Sequence, residues 1–147
     1  MDTILYVILA AVVFIILKGT VFADRSPIPE TSGNVNKVAA SAELDGLLKS
    51  TTYVIVDFYA DWCPPCRAIA PVFSKLADEH AVKGKLAFAK VNVDHVKDVA
   101  GKYGITAMPT FLFFKDGKVT SEGGVERIRG ANVGELRAVV GRLAGKV

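Results

Sequence analysis

The chain contains two cysteines in 147 residues, Cys63 and Cys66, with Pro64 and Pro65 between them and the only tryptophan, Trp62, directly before. A thiol pair at this spacing can hold half of a zinc site, carry two electrons or fill space. Structural zinc takes four ligands, and the two histidines, His80 and His95, have 14 residues between them where a finger would use about three to five. Idle core thiols remain the plain alternative. Redox chemistry needs one thiol exposed enough to attack and a second near enough to displace the mixed disulfide. A Cys-x-x-Cys in the first turn of a helix meets both needs. Free N–H groups and the positive end of the helix dipole favour a thiolate there, and Pro64 is tolerated because a first-turn N–H lacks an intrahelical partner. Cys63 is thus expected to be the accessible attacking sulfur and Cys66, one turn deeper, the resolving one.

The flanking elements must supply that helix start. Thr52 to Ala60, TYVIVDFYA, is β-branched and aromatic and predicts a strand covered on both faces. After the cysteines, Ile69, Val72, Phe73 and Leu76 repeat at helical spacing, predicting a helix to about His80 with Pro71 kinking it. Val35 to Val38 predicts a short strand, and Ser41 a cap for a helix carrying Leu44, Leu47 and Leu48. Leu86 to Val93 predicts a second buried strand. Val96, Val99 and Tyr103 predict a helix ended by Gly104. Thr110 to Lys115, a turn at Asp116-Gly117 and Lys118 to Thr120 predict a hairpin. Leu136, Val139, Val140 and Leu143 mark a last helix over 135–143. The sum is an α/β domain with a mixed sheet covered on both faces.

Composition fits a folded core: 51% of residues are hydrophobic and 22% charged, with 18 basic and 15 acidic residues giving a net charge of +3. No block of like charges supports nucleic-acid binding. Ile4 to Leu17 is an unbroken apolar run of 14 residues. Counted on to Ala23 it would make about 30 Å of helix at about 1.5 Å per residue, with Lys18 reaching the headgroups. Residues 1–23 are therefore expected to be a single-pass membrane anchor. Lys18, Arg25 and Lys37 place the C-terminal part of the chain on the cytosolic side. The alternative is a signal cut at Val21-Phe22-Ala23 for the secretory pathway. Residues 24–36, with two prolines and Gly33, read as a linker whose role is reach, and 37–147 as the catalytic domain.

VDFYADWCPPC (Val56 to Cys66), KVNVD (Lys90 to Asp94) and YGITAMPTFLFFKDGK (Tyr103 to Lys118), in that order, resemble the thioredoxin family across about Val35 to Leu143. The stretch between Gly117 and Gly130 is similar to fungal members. The resemblance implies the thioredoxin fold and a protein-disulfide reductase, with Cys63 and Cys66 forming the redox disulfide and no bound cofactor or metal. It implies protein disulfides as substrates and an NADPH-dependent thioredoxin reductase as electron donor. It makes Asp57, a charge inside an apolar strand and otherwise an outward edge residue, the proton acceptor for Cys66. Lys90 is then its tuning neighbour or a plain surface lysine. It makes Pro109 cis and facing the cysteines. Trp62 becomes a platform beside a substrate groove formed with Ala107, Met108, Gly130 and Ala131, where otherwise it fills the core.

The chain departs from the common pattern at Pro64, where most members have glycine. The residues between the cysteines tune the potential, which in the family runs from roughly −270 to about −120 mV, a gap of about 7 kcal/mol. Three other readings stay open: a secretory oxidase or isomerase, a membrane-anchored reductase for cytochrome maturation, and a binding module that uses the fold without turnover.

Overall fold

The computed structural model describes residues 2–21 and 24–147. Its centre is β2 (Tyr53–Tyr59), seven residues that are all buried. β2 lies parallel to β3 (Leu86–Asn92), which lies parallel to β1 (Val35–Val38). On its other side β2 meets β4 (Thr110–Lys115) antiparallel, and the far edge of β4 pairs with β5 (Lys118–Val119) and β6 (Arg127–Arg129). Parallel neighbours need crossover helices, and two link these strands: α2 (Ser41–Ser50) between β1 and β2, and α3 (Pro64–His80) between β2 and β3. α4 (Lys97–Lys102) precedes β4 and α5 (Val133–Ala144) ends the fold.

The period-2 alternation of strand side chains divides the core. Ile55, Phe88, Phe111 and Phe113 pack with Ile69 and Phe73 of α3 and with Leu136 and Val140 of α5. Val54, Val56, Phe58 and Val91 point the other way, onto Leu44 and Leu48 of α2 and Val99 of α4. Asp57 follows Ile55 by two and so belongs to the α3 face.

Some details differ from the expectations. The first helical turn of α2 is capped at Ala40, in extended conformation and without a side-chain bond. Ser41 is already helical, and Glu43 accepts the N–H of Ala39 at 2.7 Å instead. As expected, α3 runs to His80 with Pro71 inside it. The hairpin turn is present, with positive φ at Asp116 (48°) and Gly117 (81°), the pair of left-handed residues that a tight two-residue turn demands. β6 gives no strand signal in the sequence, because Arg127-Ile128-Arg129 offers only one apolar position.

The membrane anchor, and with it the tethered, cytosol-facing placement, is overturned. Residues 2–21 form α1 (Asp2–Val21), but among the described residues no helix is long and apolar enough to cross a membrane. Ile4–Leu17 supplies only about 21 Å of apolar helix at about 1.5 Å per residue, against a hydrocarbon core of about 30 Å. Extending it meant counting Lys18, Gly19 and Thr20 as membrane residues. Phe22 and Ala23 of the expected cleavage site lie outside the described residues.

Nor is the stretch after residue 23 a free spacer. Ile28 is buried against Tyr59, Ala60 and both cysteines. Its N–H donates to Asp61 Oδ1 at 3.1 Å, and Arg67 donates to the Ser26 carbonyl at 2.6 Å. Farther on, Ser32 and Asn34 both donate to Asp78 of α3.

Candidate active site

Cys63 is the N-cap of α3, with Pro64 and Pro65 in the first turn. Two successive prolines cost nothing in hydrogen bonding there, since those N–H groups would lack helical acceptors. The Cys63 and Cys66 sulfurs are joined as a disulfide across a Cα–Cα distance of 5.3 Å, and Cys63 Sγ accepts the Cys66 N–H at 3.3 Å. The expected contrast in exposure is small in this oxidised form: Cys63 is 4% exposed and Cys66 1%. Both pack into one cluster with Ile28, Tyr59 and Ala60, and Met108 lies against it.

Met108 and Pro109 close one side. The peptide between them is cis, and the Met108 carbonyl oxygen lies 3.6 Å from Cys63 Sγ. In the disulfide that sulfur has no proton to give, so this is a packing contact. The Pro109 carbonyl accepts the Gly130 N–H at 2.7 Å, which draws the 130 loop to the same place. Gly130 has φ +90°, and a side-chain carbon added there would meet nothing within 4 Å; the backbone is open to an approaching chain. Ala107 and Ala131 are exposed beside these residues. Trp62 is 44% exposed, so it does not fill the core, and its indole N–H donates to Asp94 at 2.8 Å.

Behind the disulfide lies Asp57, 4% exposed, with Oδ1 buried and without a hydrogen-bond partner among the described residues. Burial pushes its carboxyl up to about 7, against the pull of the nearby Lys90 ammonium. Lys90 is the register partner of Asp57 on β3, hence on the same face; it is itself largely buried and is bound by Glu30. A cavity of about 20 Å³ lies between Asp57, Cys66, Tyr59 and Lys90, closed by Ile28 and Pro29; that is room for about one water molecule. Tyr59 is pushed up to about 12 by burial and by the carboxylates of Asp61, Glu30 and Asp57.

A charge-bearing acid, a helix-start sulfur pair and a carbonyl-lined edge thus meet at the ends of β2 and β4. A family model for thioredoxin matches residues 35–140. The chain belongs to the thioredoxin family. Among its relatives, a thioredoxin-like protein of Fusarium culmorum is 57% identical over 111 residues, 76% of this chain and 92% of that one. A thioredoxin of Neurospora crassa is 49% identical over 116 residues, 77% of this chain and 91% of its own. Of solved structures, Malassezia sympodialis thioredoxin superposes with TM-score 0.65 at 32% identity, covering 81% of this chain and 98% of that one. As a thioredoxin-family member the chain is a dithiol–disulfide oxidoreductase.

Sequence reasoning passed over four residues of this thioredoxin site. Asp61 and Asp94 stood inside the quoted motifs, and their partners, the Ile28 N–H and the Trp62 indole, are visible only in three dimensions. Ile28 and Glu30 stood in a stretch whose prolines and small polar residues gave no periodic signal.

Proposed function

We propose that this chain reduces disulfides in other proteins. The Cys63 thiolate attacks one sulfur of the substrate disulfide, and the other sulfur leaves as a thiolate. Asp57 takes the proton of Cys66, through one water in the cavity between them. Cys66 then attacks the Cys63 sulfur, the second substrate thiolate leaves, and the Cys63–Cys66 disulfide remains. Two electrons have passed to the substrate, and an NADPH-dependent thioredoxin reductase returns them. Lys90 tunes Asp57. Trp62, Ala107, Met108, Pro109, Gly130 and Ala131 hold the substrate as an extended strand, with main-chain groups giving most of the affinity.

The observation that carries this reading is the buried Asp57 carboxyl across a one-water cavity from Cys66. An acid near 7 is about half ionised at neutral pH and so able to accept a proton and give it up again. The test is NADPH consumption with thioredoxin reductase and insulin as the disulfide substrate. The full chain should turn over, and Cys63→Ser should fall to background. Turnover by Cys63→Ser at the parent rate would overturn the proposal.

A further inference from the structure

The family match begins at residue 35, yet residues before it help to build the site. Between Asp24 and Asn34 the chain is tied to the domain at both ends. Arg67 of α3 binds the Ser26 carbonyl and lies 3.7 Å from Asp24, and Asp78 of the same helix accepts from Ser32 and Asn34. Held between these ties, Ile28 and Pro29 close the cavity beside Asp57 and Cys66. Glu30 then comes to bind the Lys90 ammonium and lies 3.9 Å from Lys37 of β1.

We propose that Glu30 is a positioning residue for the resolving step: by engaging Lys90 it sets how much positive charge reaches the Asp57 carboxylate. The proposal rests on the reading of Asp57 as proton acceptor for Cys66. Among the described residues, few groups meet at Asp57. β3 brings Lys90, its own strand brings Tyr59, α3 brings Cys66, and β4 places the uncharged Phe111 in register. Asp61 and Glu30 both act on Tyr59. Lys90 is therefore the cation that lowers Asp57, and its ammonium is shared with Glu30. An ammonium engaged by a second carboxylate offers less field to the first. With Glu30 neutralised, the whole charge of Lys90 falls on Asp57, the carboxyl ionises at lower pH, and the proton is taken up less readily in the neutral range.

The experiment uses the reduced full chain and a symmetrical aromatic disulfide, 5,5′-dithiobis(2-nitrobenzoate). The first coloured thiolate released reports attack by Cys63, and the second reports resolution by Cys66. The rate of the second phase is measured against pH. Glu30→Gln is expected to move the acid limb of that profile down by about one unit, and Lys90→Met to move it up, with the double variant close to Lys90→Met alone. Asp57→Asn should remove this limb and leave only a rise at higher pH, where the thiol ionises without a base to take its proton. If Asp57→Asn leaves the limb in place, the parent reading fails and this one with it. If Asp57→Asn removes the limb but Glu30→Gln leaves it unmoved, or only lowers the melting temperature, Glu30 is merely structural and this inference alone is overturned.

Discussion

Burial holds the Asp57 carboxyl near 7, and the same burial works against the fold. Below about pH 4 both the folded and the unfolded chain keep the proton. Between about 4 and 7 the unfolded chain releases it and the folded chain does not, so stability falls as pH rises through that window. The shift from 3.8 to about 7 corresponds to a loss on the order of 4 kcal/mol, at about 1.36 kcal/mol per unit. An Asn at this position keeps the shape without the ionisation. Urea unfolding of the disulfide form should therefore find Asp57→Asn more stable than the parent by about 3 kcal/mol at pH 8, with most of the difference gone at pH 4. An Asn variant less stable than the parent at pH 8 would show that the carboxylate is satisfied in a way the buried Oδ1, without a partner among the described residues, does not suggest. A group that weakens the fold at neutral pH and faces the Cys66 sulfur across a one-water cavity has a chemical use as its plainest account.

At the scale of elements, β2, β3, α3 and α5 are readable because their patterns are long: seven buried residues in each of two strands or nearly so, and apolar side chains at helical spacing. Their ends are less so. Serine is a good cap, so the sequence points to Ser41 as the start of α2, but the capping position is Ala40. Ala40 already has the extended backbone of an N-cap and lacks only an acceptor. Ala40→Ser should therefore raise stability by about 1 kcal/mol, as chemical denaturation would measure. A loss of stability on that change would mean the serine side chain cannot reach the open N–H groups. Short or irregular elements are hardest. β6 has three residues and one buried side chain, Ile128. The stretch from Asp24 to Asn34 has no repeat at all; its position is set by hydrogen bonds to Asp61, Arg67 and Asp78, which no local pattern reports.

Taken as a whole, the molecule is one mixed sheet with a core on each face, carrying its chemistry where β2 runs into α3 and where β4 begins. The alternation of strand and helix makes the parallel half of that sheet predictable, and the Asp116-Gly117 turn makes the antiparallel half so. The anchor expectation fails because an apolar run of 14 residues has to be extended through polar ones to reach a membrane's thickness. The central claim is that electrons pass through Cys63 first and Cys66 second. Its most direct measurement is the mass of the reduced full-length Cys66→Ser protein after exposure to a peptide disulfide, with the adduct then mapped to its residue. The account predicts one stable mixed disulfide, on Cys63, and little or none when the reciprocal Cys63→Ser protein is treated alike. Equal adducts on the two single variants, or no adduct on a folded Cys66→Ser protein, would contradict it.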